Sequence, residues 1–235
     1  MEMIKAHKQL KVSLVALISV VVITFIAAII AVPISGGNIE GEGIPYPYLN
    51  TIGQFPRDYI WQISAIILMV IYLITWIQID RLRNTIITNI GKSFAVLATM
   101  ILVAIYYIHF NVVPISLANK EFEGIPLLIQ YNSHGIFIVM EEIGYIFMFL
   151  SFISIALNNQ NKVVKYSFLL SFTALVILFI KLSMQYGLDR KDRFEVILIS
   201  VVWLLMIGYS VFLIKECNNE IKNYDDKKQI KKAEI

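Results

Sequence analysis

Two adjacent carboxylates, Glu141 and Glu142, stand inside residues 135–157, a run with no other charged side chain. Lys181 stands alone in the same way inside residues 166–186. His109 falls near the end of the apolar run 93–113, His134 opens the run that holds the two glutamates, Gln185 lies near the end of the Lys181 run, and Gln62 near the start of a further run, 59–79. Two carboxylates facing one ammonium form an ion pair and leave one acid over. Such a surplus acid suits proton coupling, or the binding of a cationic or hydroxyl-bearing ligand. A Glu and a His could also serve as acid and base on a lipid headgroup, although no nucleophile accompanies them. Each ionisable group placed at a bilayer centre costs roughly 2.5–3.5 kcal/mol on insertion scales, so these few positions are the informative ones.

Other chemistries find little support. His134 and Glu141 are separated by six residues, which is no established zinc spacing, and a third ligand must come from another helix. There is no phosphate-cradling glycine loop, no Ser-His-Asp order and no CxxC. Cys217 is the single cysteine, so no disulfide forms within the chain. No catalytic residue, metal or cofactor is assigned. Met140, Met148 and the phenylalanine runs are packing or lipid-facing residues.

The elements that must position these groups are legible from composition. The chain has 235 residues, 58% apolar and 16% charged, with a mean hydropathy of +0.72. A soluble domain carries about 45–50% apolar and about 25% charged residues. The excess falls into six blocks, approximately 12–33, 59–79, 93–113, 135–157, 166–186 and 196–215. Each is long enough to cross a hydrocarbon core of roughly 30 Å. In lipid every backbone amide must be paired within its own segment, so these blocks are helices. The expected fold is all-α: one six-helix transmembrane bundle over 1–215, followed by a charged tail over 216–235. This excludes a soluble enzyme, a disordered chain and a nucleic-acid partner.

Charge sets the orientation. Lys5, Lys8, Lys11, Arg81, Arg83, Lys92, Lys162, Lys165 and six lysines from Lys215 to Lys232 place 14 positive residues on one side. Arg57, Lys120, Arg190, Lys191 and Arg193 are the five on the other. The bias puts both termini in the cytoplasm, and an even number of spans requires them to share a side. The expected location is the plasma membrane, and the richness in Ile, Asn and Lys points to an AT-rich bacterial genome. The first apolar run exceeds the roughly 7–15 residues of a signal-peptide core, so it is read as a retained span. The tail, six lysines and five acids from Lys215 onward, reads as a solvated helical extension attracted to anionic headgroups.

The first external loop, 34–58, carries Pro45, Pro47 and Pro56, which disfavour helix and predict a turn-rich cap. The second, 114–133, contains the apolar stretch 125–129, which should fold back onto the helix ends. Tyr59, Trp61, Tyr131 and Tyr186 fall where an outer aromatic belt belongs.

Depth follows from a rise of about 1.5 Å per residue. Glu141 and Glu142 lie roughly 10–12 Å below the outer surface, and Lys181 about 9 Å below it. His109, Gln62 and Gln185 join the same layer. Glu141 and Tyr145 share a face of the fourth span with His134. The expectation is a polar pocket in the outer leaflet half, lined by Gln62, His109, His134, Glu141, Glu142, Tyr145, Lys181 and Gln185 and roofed by the external loops. It would bind or transport a small molecule or a lipid. Two alternatives stay open: a structural or regulatory protein whose Glu-Lys pair fixes helix packing, and an intramembrane lipid-modifying enzyme.

Residues 130–138, Gln-Tyr-Asn-Ser-His-Gly-Ile-Phe-Ile, run on through Glu141-Glu142-Ile143-Gly144-Tyr145. A second segment is Tyr186-Gly187-Leu188-Asp189, followed by Arg193-Phe194-Glu195-Val196 and Trp203. Together they resemble a family of uncharacterised six-helix bacterial membrane proteins, from about Pro56 to the sixth span. That family has Pro where this chain has Ser133. The resemblance implies the six-helix fold and the position of the polar pocket, and no activity. Pro47-Tyr48, Gly53, Pro56 and Ile60-Trp61 are similar to the approach to span two in the six-helix autophagy-modulator and GPI-lipid-remodelling superfamily, with Asn50 where Ser is usual. That likeness implies a lipid-handling role.

Overall fold

The computed structural model describes residues 2–31, 38–39, 44–45, 60–119, 121, 123–129, 132, 135–157, 159, 161–186 and 193–233. Among them, six helices carry the fold: α1 (Glu2–Ala31), α2 (Ile60–Arg83), α3 (Ile86–Ala118), α4 (Ile136–Leu157), α5 (Lys162–Tyr186) and α6 (Arg193–Ala233). All six are long and apolar enough to cross a membrane. Their outward faces carry large apolar side chains, among them Met184 at 84% exposure and Leu170 at 73%. So much exposed apolar surface suits a lipid environment and not water.

The helices pack as α1 on α2 and α6, α3 on α2 and α4, and α4 on α5 and α6. A cleft lined by Lys8 and Lys11 of α1 and by Asn218 and Ile221 of α6 places the start of the first helix beside the end of the last. Both ends of the chain therefore lie at one end of the bundle, called here the terminal end, with the opposite end called the far end. The core is a stripe from each helix: Leu10, Leu14, Leu17 and Val21 of α1 repeat every three or four residues, as do Leu198, Val202, Met206, Tyr209 and Leu213 of α6.

Two glycines let α3 approach its neighbours. A Cβ on Gly144 of α4 would stand 2.5 Å from the Leu102 side chain of α3. A Cβ on Gly91 of α3 would collide with Ser154 of α4 and stand 2.6 Å from the Trp76 ring of α2. In α5, by contrast, only Phe168, Leu175 and Leu182 are buried, a single narrow stripe seven residues apart.

Local chemistry sets several boundaries. Asn84 turns the chain between α2 and α3 with φ +42°, a left-handed conformation that Asn tolerates better than most residues. Thr85 then caps α3: its hydroxyl accepts from Thr88 N at 3.1 Å, while Thr88 Oγ1 accepts from Thr85 N at 3.0 Å. This reciprocal pair satisfies amides that the first helical turn leaves open. Asn161 caps α5 by accepting from Val163 N at 2.9 Å.

One boundary departs from the reading above. α3 continues through Pro114 to Ala118 and does not end at 113; one lost amide donor is tolerated a turn from the helix end, where Asn119 N still donates to Ile115 O at 3.0 Å. α6 runs without a break into the charged tail as a 41-residue helix, in line with the helical extension expected there. In the second loop, Ile125 and Ile129 are buried, with a short 3-10 turn over Ile125–Leu127. Within the first loop, Asn38–Ile39 and Ile44–Pro45 pair as a two-stranded antiparallel ladder, β1 with β2. The rest of that loop lies outside the described residues, as do Tyr59, His134 and Tyr131.

Candidate functional site

Glu141 lies on the inward face of α4, between Phe137 and Tyr145 one turn on either side, and all three are buried. The Tyr106 hydroxyl of α3 donates to Glu141 Oε1 at 2.5 Å. Tyr106 also stands 3.3 Å from Tyr145 Oη, which accepts from the Trp203 indole N–H of α6 at 3.2 Å. Glu195 at the start of α6 is a further side-chain hydrogen-bond partner of Glu141. Glu195 itself is 5% exposed. A carboxylate has no proton to donate, so a hydrogen bond between two carboxyl groups requires that one of them hold a proton. The cluster joins α3, α4 and α6, and Glu141 makes no ion pair among the described residues.

A second polar contact adjoins it. Gln62 Nε2 of α2 and His109 Nδ1 of α3 are 2.6 Å apart, and both residues are fully buried. The His109 ring packs edge-on against Phe137 with centroids 4.9 Å apart. Phe137 in turn meets Tyr106 at 6.0 Å, and Trp61 closes over Tyr106 at 5.6 Å. His109 follows Tyr106 by three residues, which puts both on the same inward face of α3. The result is a polar layer about a turn and a half below the start of α4, enclosed by aromatic rings.

The structure thus brings together Gln62, His109, Glu141 and Tyr145 of the expected lining, with Glu142 buried beside them on α4. His134 lies outside the described residues. Lys181 and Gln185 are not in the layer. Both are exposed and border an outward groove with Ile177, Ile180 and Met184. Gln185 Nε2 donates to Tyr186 Oη at 3.1 Å. The reason is rotational: Leu182 carries the buried stripe of α5, and the preceding residue is turned about 100° away from it. Lys181 makes no ion pair among the described residues, so the expected Glu-Lys pair is replaced by a Glu-Glu contact.

Tyr106, Glu195 and Trp203 are the members that the sequence reading left out. Glu195 and Trp203 entered there only through the resemblance, and Glu195 precedes the sixth apolar block by one residue. Its signal was helical phase, because Glu195, Leu198, Val202 and Met206 fall on one buried face of α6. Among the described residues, no three His, Cys, Asp or Glu side chains gather closely enough to hold a metal ion. No known protein family, curated protein or solved structure matches the chain.

Proposed function

We propose that the protein is a multi-pass membrane protein, with both termini cytoplasmic, that binds or transports a small molecule or lipid at the polar layer near its outer end. The observation that carries this reading is the Glu141–Glu195 contact. Two acids brought together inside an apolar bundle, with no cation on Glu141 among the described residues, are costly for a structure that needs only packing. A shared proton makes the pair tolerable, and a cationic or hydroxyl-bearing ligand can take that proton's place between the oxygens. Tyr106 and Tyr145 supply further hydroxyls at the same level, and the rings of Trp61 and Phe137 exclude water. Release of the proton when ligand enters couples binding to pH.

A structural reading has its own support. The Trp203, Tyr145, Tyr106 and Glu141 side chains bond one another across three helices, which by itself fixes helix register.

Native mass spectrometry of the purified protein, comparing wild type with Glu141→Gln, separates the two. Glutamine can still accept from Tyr106 and donate to Glu195, so the fold is retained. A bound small molecule or lipid present in wild type and absent from the variant supports the proposal. Identical bound species in both, with a lower unfolding temperature in the variant, supports the structural reading.

A further inference from the structure

A separate cleft lies between α1 and α2 at the terminal end, with a volume of about 850 Å³. Its mouth is formed by Lys5 and Lys8 of α1 and Arg81 of α2. Farther in, its walls are Val12 and Ala16 of α1 and Ile71 and Ile74 of α2. The two helices run antiparallel, so Lys5 and Arg81 lie at one end and Ala16 and Ile71 at the other. Eleven residues of helix separate Lys5 from Ala16, about 16 Å. Charge therefore gives way to apolar surface along the helix axes, with the Ser13–Gln78 hydrogen bond of 2.9 Å at the change-over.

Among the described residues no carboxylate lines this cleft. Two other cations at the same end are matched: Arg83 pairs with Glu216 at 3.3 Å, and Lys92 with Asp80 at 2.5 Å. Asp80, next to Arg81 in sequence, is thereby held by α3 and turned from the cleft. Three cations above an apolar groove of this length complement one kind of occupant.

The geometry points to a binding site for an anionic phospholipid, its phosphate held by Lys5, Lys8 and Arg81 and one acyl chain lying along Val12, Ala16, Ile71 and Ile74. Basic residues at a cytoplasmic membrane surface attract anionic lipid, and an interhelical groove adds contact for the chain. The inference needs the helices to span a membrane. It does not depend on the Glu141 cluster.

The test uses the full-length protein in neutral detergent, with its unfolding temperature measured after adding dioleoyl-phosphatidylglycerol, dioleoyl-phosphatidylcholine or glycerol phosphate. Phosphatidylglycerol should raise the midpoint, and the other two should leave it nearly unchanged. The K5Q/K8Q/R81Q variant should lose most of that rise and weaken lipid binding on the order of a hundredfold. K162Q/K165Q/K222Q, which removes three cations elsewhere at the same end, should keep it. Equal rises with both lipids, a full rise with glycerol phosphate alone, or equal loss in the two triple variants would overturn the assignment. Should the first triple variant not fold, native mass spectrometry of wild type and K8Q in an equimolar mixture of the two lipids decides. Preferential retention of phosphatidylglycerol that falls in K8Q supports the site, and retention without preference, or unchanged in K8Q, removes it.

Discussion

The Tyr106 hydroxyl donates to Glu141 Oε1 at 2.5 Å, from α3 to α4, inside the bundle. Glu195 of α6 is a further hydrogen-bond partner of the same carboxyl. One acid therefore ties three helices together, and the proton proposed between the two carboxyl groups would make that arrangement chemically different from ordinary packing.

Removing the donor tests the first half of that statement. Tyr106→Phe should destabilise the protein by about 1 kcal/mol, within the range measured for side-chain hydrogen bonds between membrane helices. In a double-mutant cycle with Glu141→Met, which removes the acceptor, the two effects should not add, because the two residues bond each other. Reversible unfolding in detergent measures both, and strict additivity would show the contact to be energetically silent.

Lys181 provides the complementary prediction. Its side chain is exposed beside Met184 and Ile180, so Lys181→Gln should change stability by under about 0.5 kcal/mol. Its effect should add to that of Glu141→Gln. Coupling between the two in unfolding experiments would restore the ion pair that the rotational phase of α5 rules out.

The seam between α3 and α4 depends on close approach. Gly144→Ala places a methyl group against Leu102, and Gly91→Ala places one against Ser154 and Trp76. Each should cost about 1–3 kcal/mol, as overpacking of a filled core does. Leu102→Ala should recover part of the first loss and none of the second. Recovery of neither, or of both alike, in thermal unfolding would locate the strain elsewhere.

At the terminal end two ion pairs should behave differently. Asp80 is 9% exposed and accepts from both Lys92 and Thr88, so Lys92→Met leaves a buried carboxylate short of its main donor and should cost about 1–3 kcal/mol. Arg83 and Glu216 are more open, so Glu216→Gln should cost under about 1 kcal/mol, a loss that fades with added salt. Unfolding at low and high ionic strength checks both; similar losses in the two variants would contradict the burial difference.

How much of this was legible in the sequence differs by feature. The six helices follow from run length alone, because an apolar block of about 20 residues has few other fates. Rotation was not legible. Glu141 could be assigned to a face with its neighbours His134 and Tyr145, but α5 is apolar nearly all round, and nothing in it marks which third faces inward. Lys181 was therefore placed on the wrong side. Glu195 was missed because it precedes the sixth apolar block, 196–215, by one residue. The continuation of α3 past Pro114 escaped because proline is an imperfect stop signal near a helix end.

The proton proposed to be shared by Glu141 and Glu195 is the central element, and infrared spectroscopy reads it directly. At neutral pH the protein in detergent should show the carbonyl band of a protonated carboxyl group shielded from solvent exchange. That band should disappear in Glu141→Gln and again in Glu195→Gln. A wild-type spectrum without it, or a band of unchanged intensity in both variants, would contradict the account.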